Sequence, residues 1–426
     1  MKIKVVGVTK EDDINLEESK IFSGHQAGIC YMENNYDYLN DAEKNLKRFM
    51  GTCKTGHHSV ADHVQVTVVL ENISKMLAMV LNSLGYYATS EKSGRYTSMT
   101  GNSEAEVKLY EKWLDIFSKR IAELEPFLDE KSVDKLAKEN ARYVLSVFTR
   151  STTMSYTTSL RQWNYIYDWC QRYMEKYKEL SNNKIFTIDN AEASFYEANL
   201  YYDFKGLSEF IKSNLYIDKL RDTKNRHFDF LGDFSGADIR PITEYRTAQY
   251  QFQDGVIDTS VENDDRLDFN YSVSYFASFV HLAQAQRHRT ISYWMLFNPY
   301  VTNAYFVPPI IRNTKYELDW ISDLSSISEI VPQATIFPVV ECGTLDKFLL
   351  KCEERLCGRA QFEIMQQTKW TAERFIKVYN ELTPIAQSYV AMFMKLNGDI
   401  KTKGELLCNC SEPCRFGCYG ALDRVL

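Results

Sequence analysis

Apolar positions along this chain fall into short blocks whose period switches between two and 3.6, and one succession of blocks occurs twice. Residues 1–8 predict a first strand, and Asp41 to Met50 has helical spacing closed by Gly51-Thr52. Val64 to Leu70 is β-branched and alternating, which predicts a strand, and Ile73 to Leu84 predicts an apolar helix ended by Gly85. Residues 104–125, 132–147 and Leu160 to Tyr177 predict amphipathic helices, with a Ser/Thr-rich connector from Ser151 to Thr158. Ser181 to Lys184 predicts a loop, and about 185–225 a helical connection. In the second half Tyr245-Arg246-Thr247-Ala248 opens an extended stretch and Leu267 to Val273 alternates as a strand. Tyr275 to Gln286 then predicts an apolar helix, Phe297 to Pro309 a loop, and Leu345 to Leu356 a late helix preceded by Ile327 to Val339. Strand, apolar helix, polar motif and late helix recur in that order, as an old duplication would leave them.

With 426 residues, 45% hydrophobic and 25% charged, the chain has room for two or more soluble domains. No apolar run reaches the roughly 18 residues of a membrane span, and the Met-Lys-Ile-Lys-Val-Val start lacks the pattern of a signal peptide. A cytoplasmic protein without a membrane partner is expected. A net charge of −7 speaks against general attraction to nucleic acid, so any basic site must be local. The 28 Tyr and 24 Phe suit packing for the most part.

Without a secretory leader, the 10 cysteines read as thiols. Cys408, Cys410, Cys414 and Cys418 crowd the C-terminus, with Pro413 and Gly417 supplying turns. Such a density of thiolates suits zinc, or an iron–sulfur cluster; the alternative is a reduced, partly exposed tail.

Three consecutive basic side chains, Arg287-His288-Arg289, sit just after Gln284 and Gln286 and before Thr290. Arginine offers a planar fork suited to phosphates and to the carbonyl edge of a pyrimidine. The alternative is a helix C-terminus whose cations complement the dipole. Ser93-Gly94-Arg95 offers a hydroxyl, a close-approach glycine and a fork, a phosphate clasp or an ordinary loop. Arg142 could be a surface ion pair, and Arg355 could pair with Glu353 or Glu354 within its helix.

Taken together these residues resemble the flavin-dependent thymidylate synthases, whose signature is Arg-His-Arg-x-x-Ser-x-Asn-x-x-Ser-x-Arg-Tyr. Residues 287–300 keep Arg287, His288, Arg289, Ser292 and Tyr300, but have Trp294, Phe297 and Pro299 in place of the Asn, the second Ser and the last Arg. Glu91-Lys92-Ser93-Gly94-Arg95-Tyr96 matches the tail of the signature, while Ser83-Leu84-Gly85 stands where its Arg-His-Arg belongs. The first half also keeps the Gly-His segment at Gly56 to His63, the Ala-Arg-x-Val-Leu segment at Ala141 to Leu145, and Arg161. In the second half Ser328 takes the place of Arg142 and Thr344-Leu345-Asp346 the place of Ser159-Leu160-Arg161. Arg355 with Ala360-Gln361-Phe362-Glu363-Ile364 is kept only there, Cys170 standing in its place in the first half.

The resemblance implies an α+β fold of two tandem thymidylate synthase-like domains, each a central, mostly antiparallel sheet with packed helices. Domain 1 would span 1–220 and hold the phosphate side of a nucleotide site. Domain 2 would span 221–405 and hold the base side, with a Cys-rich tail at 406–426. It further implies C5 methylation of dUMP to dTMP with methylenetetrahydrofolate, FAD and NADPH. Glu91, Ser93, Gly94, Arg95 and Arg142 would bind the phosphate side. Gln284, Arg287 and Arg355 would bind the base, with Arg355 and Arg287 catalytic. His57, Ser59, Glu91, Arg161, His288, Arg289 and Thr290 would face the flavin. Two chains would form a homodimer equivalent to the family's homotetramer. The alternatives are a sister enzyme acting on UMP or another pyrimidine nucleotide, one installing hydroxymethyl, or a non-catalytic nucleotide- or flavin-binding duplicate.

Overall fold

The protein is described by a computed structural model over residues 1–9, 15–31, 40–83, 87–97, 103–182, 191–218, 220, 270–295, 304–377 and scattered positions from 384 to 425. It has two compact units, Met1–Ser93 with Phe148–Phe228 and Gly94–Val147 with Asp229–Leu426. Compactness therefore follows a different division from the contiguous one expected at 220. Residues 94–147 leave the first half of the sequence and pack with the second.

The first unit is built on an antiparallel sheet. Its elements are β1 (Lys2–Val8), α1 (Leu16–Gly28), α2 (Ala42–Lys54), β2 (Gln65–Ile73), α3 (Lys75–Leu81) and β3 (Ala88–Glu91). After the excursion through α4 (Glu104–Leu124) and α5 (Glu130–Ala141), the chain returns as β4 (Thr152–Ser159), α6 (Leu160–Asn182) and α7 (Ala191–Asn214). The strand order is β1-β2-β4-β3. Gly24 lets α1 lie against α2, because a Cβ there would sit 1.9 Å from the Asn45 carbonyl oxygen.

Three expectations are corrected here. The Ser/Thr-rich connector is β4, an interior strand paired with both β2 and β3. Its Met154 and Tyr156 are buried at alternate positions while Thr153, Ser155 and Thr157 take the half-buried sites, so a strand carried the composition of a loop. α3 is shorter than expected, starting only where Ser74 accepts a hydrogen bond from the Leu77 amide at 3.1 Å. α6 runs past Tyr177 to Asn182, into the expected loop.

The second unit contains α4, begun by a capping box of Ser103 and Glu106, and α5, capped by Asp129. It continues with β5 (Asn270–Ser278), α8 (Phe279–Ala285), β6 (Ser292–Met295), α9 (Lys315–Ser326), β7 (Ile336–Thr344), α10 (Leu345–Arg355) and α11 (Phe362–Lys377). The sheet is antiparallel with order β5-β7-β6. The expected helix from Tyr275 is corrected: β5 continues to Ser278, burying Val273, Tyr275 and Ala277 on one face, before α8 begins. Among the described residues no helix is long and apolar enough to cross a membrane.

The element order of β2 to α6 resembles that of β5 to α10: strand, short Ser-capped helix, edge strand, helical segment, 3₁₀ turn, central strand, helix, the helical segment being the pair α4 and α5 in the first and a 3₁₀ turn with α9 in the second. Within the second unit the two 3₁₀ turns meet. Val147 N donates to Val331 O at 3.1 Å and Gln333 N to Leu145 O at 2.8 Å, on either side of a bridge between Ser146 and Pro332. Val331 adopts a φ of 52°, a costly conformation for a β-branched residue. Beside these turns α4 packs on α9 through Trp113, Phe117 and Trp320, all fully buried. The two indoles meet edge to face at 4.6 Å, and Trp320 Nε1 donates to Phe306 O at 2.8 Å. Trp320→Ala is expected to lower unfolding free energy by about 3–5 kcal/mol, read by chemical denaturation; a loss below about 1 kcal/mol would contradict this packing.

Candidate functional site

Ser278 begins α8 by accepting from the His281 amide at 3.2 Å, and the helix ends within two turns. The chain then folds tightly, with Arg287 N donating to Gln284 O at 3.3 Å, His288 N to Ala285 O at 2.9 Å, and Ile291 N to His288 O at 3.0 Å. This turn separates the basic triplet. Arg287, Arg289 and Thr290 are exposed, whereas His288 is buried and Gln284 is half-buried.

His288 meets the end of α10. Arg355 Nε donates to His288 Nε2 at 2.7 Å, so the imidazole is an acceptor and its own proton belongs on Nδ1. Burial, with the charges of Arg355 and Lys351, pushes the His288 pKa down to about 2. Burial also lowers the Arg355 pKa; Glu354 opposes this, and Arg287 and Arg95 add to it. The Glu354 carboxylate lies 3.8 Å from Arg355 Nη2.

Arg95 and Arg142 belong to the same unit. Arg95 Nε pairs with the buried Glu139 carboxylate, and Arg95 Nη2 donates to the Arg359 carbonyl at 2.9 Å. Arg142 follows directly on α5 and donates from Nε to Glu139 O at 3.2 Å. Its Nη2 is buried without a hydrogen-bond partner among the described residues. Burial lowers the Arg142 pKa while Glu139 opposes the shift. An orphaned guanidinium nitrogen in a cluster of cations is the donor that an anionic ligand would complete.

A second buried carboxylate joins these pieces. Glu363 accepts from Tyr143 OH at 2.8 Å, from Ser278 N at 2.8 Å and from Ser278 Oγ at 2.6 Å. Burial raises its pKa, with Ser278, Tyr143 and Arg142 opposing. Gln361 Nε2 donates to Tyr143 OH at 2.8 Å. The Ala-Gln-x-Glu-Ile segment thus ties the residue after Arg142 to the cap of the helix bearing Gln284.

A third carboxylate, Glu341 on β7, is fully buried and carries none of the motif. Fully buried Lys351, one helical turn before Arg355, donates to Glu341 Oε2 at 2.7 Å and to Gln367 Oε1 at 3.0 Å. Tyr271 and Tyr275 each donate to Glu341 at 2.7 Å. The sequence signal was a Glu interrupting the apolar strand β7, ten residues after which a Lys falls on the apolar face of α10.

The remaining predicted residues lie in the first unit. Glu91 on β3 is already engaged by Lys75 Nζ at 2.6 Å and Thr152 Oγ1 at 3.1 Å. Ser93 is half-buried at the end of that unit, and Gly94, where the second unit begins, is buried. Arg161 grips Asp62 with Nε at 2.9 Å and with Nη2, and Ser159 Oγ donates to the same carboxylate at 2.7 Å. His57 and Ser59 are exposed beside this pair in sequence, and His58 Nδ1 lies 3.0 Å from Tyr165 OH. Exposed His57, Ser59, Arg289 and Thr290 are donors of the types that suit a flavin dinucleotide's phosphates. The metal candidates Cys408, Cys410, Cys414 and Cys418, and the positions of Phe297, Pro299 and Tyr300, lie outside the described residues. Among the described residues no group of three or more His, Cys, Asp or Glu could hold a metal.

Residues 19–186 match the family model of thymidylate synthase complementing protein, the flavin-dependent thymidylate synthase family. The matched segment includes Arg95 and Arg142 but not Arg287 or Arg355. No curated protein matches the chain.

The neutral state of His288 has a pH consequence. Its folded pKa, about 2, lies below the ordinary 6.5, so the unfolded chain takes up the proton first and stability falls as pH drops below 6.5. His288→Gln keeps an acceptor for Arg355 but removes the titration. Its unfolding free energy between pH 6.5 and about 4 should fall less steeply than that of the parent, by up to about 1.4 kcal/mol per pH unit. Identical slopes in pH-dependent denaturation would show that His288 is not held neutral.

Proposed function

We propose, on the premise that residues 19–186 are those of a flavin-dependent thymidylate synthase, that the chain methylates C5 of a uridine monophosphate. The substrate of this reading is dUMP, the carbon donor methylenetetrahydrofolate and the reductant NADPH. Bound FAD would carry the reducing equivalents. One observation supports the reading most: Arg95 and Arg142, assigned to the phosphate side, share Glu139 in the same compact unit as Arg287 and Arg355, assigned to the base side. Arg95 is hydrogen-bonded to the turn that follows Arg355.

In this reading the orphaned Arg142 Nη2 and the Arg95 guanidinium receive the phosphate, with Ser93 and Gly94 at the chain's approach and Glu91 holding β3 in place through Lys75. Gln284 and Arg287 close the base side. Arg355 stabilises negative charge developing on the pyrimidine carbonyl edge as C5 becomes nucleophilic. His288 holds Arg355 by Nε, and Arg355 Nη2 lies 3.8 Å from the Glu354 carboxylate. His57, Ser59, Arg161, Arg289 and Thr290 would orient the flavin.

The recurring element order, and the sorting of motif residues between halves, support a tandem duplication in which each copy was relieved of half a site. Two chains would then make the equivalent of the family's tetramer, with zinc in the C-terminal cysteines as a separate proposal. Replacement of the signature Asn and last Arg by Trp294 and Pro299 supports a second reading, a related nucleotide such as UMP or a hydroxymethyl product.

Arg355→Ala is expected to retain bound flavin by its absorption spectrum while dTMP formation falls by more than about 10²-fold. Unimpaired turnover in that variant would remove Arg355 from the mechanism. A parent protein that is colourless and ignores added FAD would instead favour a non-catalytic duplicate.

A further inference from the structure

The turn between α10 and α11 is where the proposed nucleotide residues converge, and the far C-terminus is seated on it. Arg355 ends α10, and the Leu356 amide closes the helix on Cys352 O at 2.9 Å. Ala360 N then donates to Cys357 O at 3.0 Å, folding residues 357–360 back on themselves. From this turn the Arg359 carbonyl receives Arg95, and Gln361 reaches Tyr143 beside Arg142. Any shift of the turn would therefore be felt by Arg355, Arg95 and Arg142 together.

Arg424 occupies the inside of the turn. The residue is only 9% exposed, and its guanidinium donates from Nη1 to Cys357 O at 3.2 Å and from Nη2 to Ala360 O at 2.5 Å. Nη1 also lies 3.0 Å from Met365 Sδ on α11. Two residues earlier Leu422 is buried, and its carbonyl accepts from Gln366 Nε2 at 3.0 Å. A buried guanidinium is costly unless its donors are met, and here a rigid fork spans the first and last carbonyls of one turn. Lysine would keep the charge but lacks the planar fork that meets the two carbonyls from separate nitrogens. Arg424 lies more than two hundred residues beyond the segment that matches the family.

We infer that Arg424 is a positioning residue for nucleotide binding, holding the turn that carries Arg355 and receives Arg95. The inference rests on the function proposed above, and its test separates the two. Full-length flavin-loaded parent, Arg424→Ala and Arg424→Lys would be compared for amide hydrogen exchange over residues 356–361, for the KM and kcat with dUMP, and for dUMP affinity. Arg424→Ala should exchange faster in that turn without nucleotide and raise the KM about tenfold or more, with a smaller change in kcat. Millimolar methylguanidinium should reverse both effects, and Arg424→Lys should recover them only in part. Unchanged exchange and KM in Arg424→Ala would overturn the inference, as would a raised KM that neither methylguanidinium nor lysine improves. Should Arg424→Ala fail to fold, Arg424→Lys decides: a raised KM at normal flavin content supports the inference, and parental KM overturns it. A parent that binds no pyrimidine nucleotide while its turn still loses protection in Arg424→Ala would sink the proposed function and leave the seating of Arg424 intact.

Discussion

Like charges can be gathered in a protein only if something buried neutralises them, and that constraint organises the second unit. Beyond the effect of burial, Arg95 disfavours the charge on Arg142, Arg287 and Arg95 that on Arg355, and Arg355 and Lys351 that on His288. Three buried carboxylates answer them: Glu139 beside Arg95 and Arg142, Glu363 toward Arg142, and Glu341 on Lys351. Each carboxylate is also a structural junction. Glu363 fixes the cap of α8 and Tyr143, and Glu341 ties β7 to β5 and α10. Removing one partner would strand an uncompensated charge, which costs far more than the pair contributes. The basic residues and the fold around them are therefore one construction.

Within that construction the basic triplet is divided by a tight turn rather than acting as a unit. Its outer arginines face solvent, while its histidine turns inward and gives up the capacity to be charged. A neutral imidazole accepting from Arg355 fixes the guanidinium without neutralising it. A carboxylate in the same place would have held Arg355 more tightly but cancelled the charge that an electron-rich carbonyl edge would use.

Much of this was legible in the sequence. Helical periodicity placed α4 and α10, and the β-branched alternation of Val64 to Leu70 placed β2. β4 was hidden because Thr and Ser serve loops and strand faces alike, and the helix start at Ser278 because apolar Tyr275 to Ala277 fits either period. The motif arginines were found, but their partners were not. Glu139, Glu341 and Lys351 look like ordinary charges until burial is known, and Arg424 stands far from the turn it fills. Least legible was the placement of residues 94–147, since nothing local distinguishes a helix pair that packs with its own half from one that packs with the other.

That excursion has a kinetic side. β3 and β4 pair in one unit, yet the chain between them, residues 92–151, is largely committed to the other. Closing the β3–β4 ladder therefore closes a long loop whose content cannot settle until sequence after residue 270 has emerged and begun to fold. On a ribosome the first half would wait, its sheet edge unpaired, for chain not yet made. A protein threaded this way gains one coupled folding event from two compact units, and loses the freedom of either to be made alone.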